Sequence, residues 1–102
     1  MAILTVLVFS AGCAFDHLTT VYGISLPNVS EANPVVLQLM EIGIWPMTEL
    51  FVILAGAVCG VIIGGMESSK LNDFSLNLLA VVGLSRFFVA FNNLFVIVNA
   101  LY

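Results

Sequence analysis

The sequence contains few charged residues: Asp, Glu, Lys and Arg together make up 8% of its 102 residues, whereas soluble domains average about 25%. Hydrophobic residues make up 62%. This composition excludes a water-soluble domain. A membrane-spanning helix needs about 20 apolar residues, so the chain has room for one domain with three or four spans.

Basic residues are especially scarce, because Lys70 and Arg86 are the only two and they stand against six acidic residues. The chain therefore lacks the basic patch that nucleic-acid binding requires. It also lacks a polybasic anchor for anionic lipids. We expect no nucleic-acid partner, and we expect attachment to the lipid bilayer through spanning segments.

The chain has two cysteines and one histidine. Cys13 and Cys59 lie in apolar runs without a CxxC or Cys/His spacing, which predicts two small buried packing residues. The sequence contains neither HExxH nor GxSxG. We therefore expect no enzyme activity, no cofactor and no metal site.

A metal-dependent intramembrane enzyme remains an alternative, because oxygen and imidazole ligands suit several divalent ions. Its ligands would be Asp16, His17, Glu31 and Glu49.

Hydropathy predicts an all-α membrane protein with three spans, at about residues 2–23, 47–65 and 74–101. The stretch from Ser25 to Asn33 is rich in Pro, Ser and Asn and is predicted as a loop. Residues 66–73 are predicted to form a polar connection.

The chain from Pro34 to Gly65 is too long for one straight span, and the Gly43 to Pro46 segment is the expected break. We therefore predict a short interfacial or broken helix over residues 34–42, before the second span. All 102 residues then form a single helical membrane domain.

Aromatic residues support three crossings, since Tyr22, Trp45 and Tyr102 all fall at the same membrane face, where an aromatic belt is expected. That face carries Asn28-Val29-Ser30, a formal glycosylation acceptor. Lys70 lies at the opposite face with the N-terminus. The positive-inside rule then predicts a cytoplasmic N-terminus.

Glycines recur every four residues in the second span, at Gly56, Gly60 and Gly64. Such spacing leaves a groove without side chains, and in lipid a groove of this kind marks a helix–helix contact. The contact is either within the chain or between copies in a homo-oligomer, and the two alternatives stay open.

Polar residues within the spans are a stronger signal, because polar groups in a membrane usually face a partner or water. Asp16, Thr19 and Thr20 share one face of the first span. Asn93, with Asn92 beside it, lies at about the same depth in the third span, and Glu49 opens the second. One polar cluster can be assembled from all three spans.

Arg86 lies near the middle of the third span, where an unpaired guanidinium is very unfavourable. It requires a carboxylate, and Asp16 and Glu49 are the intramembrane candidates. The cluster is interpreted first as an interhelical lock and second as a functional site. His17 points about 100° away from Asp16 around the helix, which favours a structural role.

Two short motifs flank the first loop: Asp16-His17-Leu18-Thr19-Thr20 and Glu31-Ala32-Asn33-Pro34. With these motifs and the late helix that carries Arg86, the chain resembles an uncharacterised family of small, mainly archaeal membrane proteins, a domain of unknown function. The resemblance implies a polytopic helical architecture and no activity. It also connects Glu31 and Asn33 to Asp16 as one corner at the end of the first two spans.

The leading functional expectation is a structural or accessory subunit that self-assembles or joins other membrane subunits. Minor subunits of respiratory-type complexes and viral envelope proteins both fit, so the expected location is a cell membrane or a viral envelope. The alternative is an ion, proton or small-solute pathway lined by Asp16, Glu49 and Asn93.

Overall fold

The computed structural model describes residues 2–27 and 29–102, and these residues form four α-helices without a strand. The helices are α1 (Ala2–Ile24), α2 (Pro34–Ile42), α3 (Trp45–Gly64) and α4 (Lys70–Leu101). Helices α1, α3 and α4 are long and apolar enough to cross a membrane. The predicted fold, with three spans and a short helix before the second, is confirmed. Asn28 of the formal glycosylation acceptor lies outside the described residues.

Helix α2 has well-defined caps at both ends. At its start, Asn33 Oδ1 accepts a hydrogen bond from the Val35 N–H at 3.0 Å, as an N-cap asparagine does. At its end, the Gly43 N–H donates to the Met40 carbonyl and the Ile44 N–H to the Leu39 carbonyl, both at 3.1 Å. This pair of bonds is a Schellman motif, which places the residue after the helix in the left-handed region.

The break between α2 and α3 falls at the beginning of the expected segment. Gly43 has a φ of 87°, a value that suits glycine. Trp45 already begins α3, and Pro46 occupies its first turn, where a missing N–H costs no helical hydrogen bond. Gly43 and Ile44 therefore separate the two helices, and Pro46 belongs to the second of them.

Helix α4 begins earlier than the hydropathy suggested. Ser69 Oγ accepts a hydrogen bond from the Asn72 N–H at 3.1 Å and caps a helix that starts at Lys70. The expected polar connection over 66–73 is therefore wrong in its second half. The expected span over 74–101 lies inside a longer helix, because serine capping can start a helix in polar sequence before the apolar run.

Helix α1 is the centre of the bundle and packs against both α3 and α4. Its closest approach to α4 is at Gly12 and Gly83, which we call the glycine crossing. A Cβ atom on Gly12 would overlap the Gly83 carbonyl oxygen, and a Cβ atom on Gly83 would lie 2.7 Å from Phe9 Cα. Only glycine at both positions lets the two backbones touch.

The glycine groove of α3 is filled by α1. A Cβ atom on Gly56 would overlap the Phe9 ring, one on Gly60 would meet Val6, and one on Gly64 would overlap Ala2. The groove is therefore a contact within the chain, the first of the two alternatives that its spacing left open.

The two cysteines have different environments. Cys13 is fully buried, as predicted. Cys59 is exposed on α3, so the prediction that it is buried is wrong. Hydropathy marks both as membrane residues but does not say which side of its helix faces the bundle.

Candidate functional site

Arg86 of α4 lies between two carboxylates from two other helices. Its Nε is 2.5 Å from Asp16 Oδ2 of α1, and its Nη2 is 2.7 Å from Glu49 Oε2 of α3. The contact with Glu49 is also an aligned hydrogen bond, whereas the Nε–H is not aligned with an acceptor. Sequence reasoning proposed either carboxylate as the partner, and the structure places both there. We call these three residues the charged lock.

The glycine crossing explains why Asp16 and Arg86 meet. Asp16 follows Gly12 by four residues, and Arg86 follows Gly83 by three. Residues at these spacings lie on the same helix face about one turn further on. Because the backbones of α1 and α4 touch at the glycines, the side chains one turn above are held within ion-pair distance.

Asn93 extends the lock by two further turns of α4. Its Nδ2 lies 3.0 Å from the hydroxyl oxygens of both Thr19 and Thr20 and 3.3 Å from Asp16 Oδ1. The two threonine hydroxyls donate to the Asp16 carbonyl, at 3.0 and 2.8 Å. The hydroxyl oxygens are thereby oriented to accept from the amide of Asn93.

Asn92 does not join this network. It is exposed and lines a smaller cavity of about 150 Å³. Thr19, Thr20 and Asn93 line that cavity as well. Asn92 therefore borders the cluster without a hydrogen bond to it among the described residues, and its side chain points about 100° away from that of Asn93.

The loop corner predicted from the two motifs reaches the same region. Glu31 Oε1 accepts a hydrogen bond from the Asn33 N–H at 2.9 Å. Both residues line a cavity together with Asp16. The structure thus brings Glu31 and Asn33 to the end of the charged lock. Among the described residues, Glu31 makes no direct bond to Arg86.

The sequence did not predict the contact between His17 and Trp45. Their ring centroids are 4.4 Å apart, and Trp45 is only 5% exposed. Trp45 was expected in an aromatic belt at one membrane face, and the structure buries its ring against His17 of α1. No local sequence pattern indicates which ring Trp45 contacts.

These residues enclose a cavity of about 280 Å³, which we call the main cavity. Its lining comprises Asp16, His17, Thr20, Glu31, Asn33, Val36, Trp45, Glu49, Arg86, Val89 and Asn93. Phe9, Cys13 and Leu76 are buried apolar residues, and the Phe9 backbone lies against Gly83 at the glycine crossing.

The main cavity does not have the geometry of a metal centre. Among residues 2–27 and 29–102, no three His, Cys, Asp or Glu side chains are placed to hold a metal ion. The site can accept hydrogen bonds and compensate positive charge, and it holds no serine or cysteine beside a base in its lining.

A family model described as Domain of unknown function (DUF5658) matches residues 6–99. The chain belongs to this family. The match includes every residue of the charged lock, the glycine crossing and the loop corner. Searches of curated proteins and of solved structures found no match. Family membership agrees with the resemblance suggested by the sequence motifs and brings no activity with it.

Proposed function

We propose that this protein is a structural or accessory subunit, without enzyme activity, of a homo-oligomer or a larger membrane assembly. The observation that supports the proposal is the low burial of α3. Of its twenty residues only Trp45 and Gly60 are buried, whereas α1 buries seven of twenty-three. Helices associate in lipid through close packing, so the outward face of α3 is the surface offered to another subunit.

In this proposal the charged lock fixes the register of the three spans within the subunit. Asp16, Glu49 and Arg86 join all three spans, and a buried ion pair is best attested as a device that fixes register. The lock keeps the outward face of α3 in one orientation relative to α1 and α4.

The proposal includes a location and partners. The three candidate spans support residence in a bilayer, either a cell membrane or a viral envelope. The partners would be further copies or other membrane subunits, such as those of a respiratory-type complex, and no nucleic acid. The single lysine, Lys70, stands at the first residue of α4, and the positive-inside rule then supports a cytoplasmic N-terminus.

The proposal can be tested by cross-linking through Cys59, which is exposed on α3. In a Cys13→Ala background, Cys59 is the only thiol of the chain. A bifunctional maleimide added to native membranes should then produce a defined adduct, either a dimer or a conjugate with one other subunit.

The matched control moves the thiol to α4 at a similar depth. Leu78 is 54% exposed and stands beside Leu79, which packs near Gly60. A Cys13→Ala/Cys59→Ser/Leu78→Cys variant should cross-link much less. A monomeric mass in mild detergent, with no adduct from either position in membranes, would refute the subunit role.

The second candidate function is an ion, proton or small-solute pathway. The observation in its favour is the main cavity, which borders Asp16, Glu49 and Asn93. Because the half of the bundle around Phe9 and Cys13 is packed, passage needs a second conformation. Liposomes with the native protein should show flux that is lost in Asp16→Asn, and the absence of flux under any gradient would refute this candidate.

A further inference from the structure

The main cavity carries an excess of negative charge. Asp16, Glu31 and Glu49 line it together with one guanidinium, that of Arg86. Arg86 uses Oδ2 of Asp16 and Oε2 of Glu49, and Glu31 Oε1 is bonded to the Asn33 N–H. Within the described residues, the remaining oxygens of Glu31 and Glu49 accept no hydrogen bond. A partly buried site of this charge attracts a cation.

An independent observation comes from the aromatic wall of the same cavity. Trp45 is 5% exposed, and its Nε1 is buried without a hydrogen-bond partner in the described part of the chain. The same holds for Nδ1 of the stacked His17. Buried polar atoms are almost always paired, so these two nitrogens indicate polar atoms of a bound molecule. Tryptophan faces also attract cations.

The arrangement discriminates between kinds of cation. No three potential ligands among residues 2–27 and 29–102 converge on a point that holds a metal ion, although three carboxylates share the cavity. An ammonium group needs only two carboxylates, at hydrogen-bond rather than metal-ligand distances, and Glu31 and Glu49 both line the cavity. An oxygen atom on the same molecule can accept the Trp45 N–H.

We propose that the main cavity binds a small organic ammonium ion that also carries an oxygen acceptor, with the ammonium group on Glu31 and Glu49 and the oxygen atom towards Trp45 and His17. The site lies within one copy of the chain, so it does not depend on the subunit role. The proposed ligand would be the class of solute carried in the pathway candidate. The binding proposal itself requires no transport.

Trp45 is the only tryptophan of the chain and therefore reports directly on the cavity. Ethanolamine is the probe, added to the purified protein in a maltoside detergent that has no ammonium group. Selectively excited tryptophan fluorescence should change saturably with ethanolamine. It should not change with ethylene glycol, which lacks the charge, or with potassium chloride, which lacks the N–H donors. Ethylamine, which lacks the oxygen, should bind more weakly.

The decisive variant is Glu31→Gln, because Glu31 is outside the charged lock and its loss leaves the lock intact. The ammonium loses a hydrogen bond to a charged group, so the ethanolamine affinity should fall by about tenfold or more. Glu41→Gln is the matched control, since Glu41 is exposed on α2 and does not line the cavity. It should leave the affinity unchanged.

The proposal is overturned if no saturable response occurs, if potassium chloride or ethylene glycol gives the same response, or if Glu41→Gln weakens binding as much as Glu31→Gln. A second arm in nanodiscs with phosphatidylethanolamine separates two sources of the same chemistry. Competition by the lipid would assign the site to a headgroup, and unchanged ethanolamine binding would assign it to a free solute. Binding without liposome flux would refute the pathway candidate alone.

Discussion

The glycine crossing and the charged lock hold the same two helices together by different means. At Gly12 and Gly83 the backbones of α1 and α4 touch and leave no space for a side chain. One turn further, the long side chain of Arg86 spans the gap to Asp16, and a cavity of about 280 Å³ opens beside them. Backbone contact leaves no space at the crossing, whereas the ion pairs one turn further lie beside a cavity lined by polar side chains.

The largest loss of stability is expected from removing Arg86, the cation of the charged lock. Arg86→Met should lower the free energy of unfolding by about 3–5 kcal/mol, because two carboxylates lose their buried partner. The measurement is helicity by circular dichroism during titration from mild detergent into sodium dodecyl sulfate. Lys70→Met makes the same charge change at an exposed position and should have little effect.

A triple variant distinguishes the destabilisation caused by unpaired carboxylates from the net stabilisation that the charged lock provides. Arg86→Met combined with Asp16→Asn and Glu49→Gln removes all three charges and should recover most of the lost stability. If Arg86→Met alone is as stable as the native protein, the lock does not hold the helices together.

The glycine crossing should respond to a single methyl group. Gly12→Ala forces a methyl group against the Gly83 carbonyl and should cost about 1–3 kcal/mol, as overpacking does. Gly56→Ala pushes a methyl group against the Phe9 ring, a side chain rather than backbone, and should cost less. Gly65→Ala makes ordinary contacts at 3.6 Å and serves as the control. Equal losses at Gly12 and Gly65 in the same titration would contradict a backbone contact.

The smallest effect is expected from removing the hydrogen bonds of Asn93, which lies two helical turns beyond Arg86. Asn93→Leu removes the amide that reaches Thr19, Thr20 and Asp16 and should cost about 1 kcal/mol, in the range of interhelical hydrogen bonds in membranes. Asn92→Leu changes the neighbouring exposed residue and should be neutral. A larger loss in Asn92→Leu than in Asn93→Leu would reverse the assignment of the two amides.

The spans and the ion pair are predictable from the sequence, because each depends on properties of individual residues and short segments. A guanidinium in a span needs a carboxylate, and only Asp16 and Glu49 were available at a suitable depth. The choice between them was not predictable, and the structure uses both because α1 and α3 approach Arg86 from two sides.

Other contacts depend on the tertiary arrangement alone. Gly83 stands without a repeat in α4, so no spacing marks it as the partner of Gly12, whereas the regular glycines of α3 were visible. The contact between His17 and Trp45 joins two helices whose relative rotation the hydropathy does not specify. The main cavity is shaped by the glycine crossing and by the contact between His17 and Trp45. The sequence therefore predicted the polar residues of the cavity but not its aromatic wall.

The length of α4 makes the protein sensitive to the thickness of its bilayer. The 23 residues of α1 rise by about 34 Å, close to the hydrocarbon thickness of about 30 Å. The 32 residues of α4 rise by about 48 Å. The two helices are fastened at the glycine crossing, so α4 cannot tilt freely to absorb the excess. A thicker membrane therefore covers more of α4 but leaves α1 too short, and a thinner one leaves the polar first turn at Lys70 further out in water.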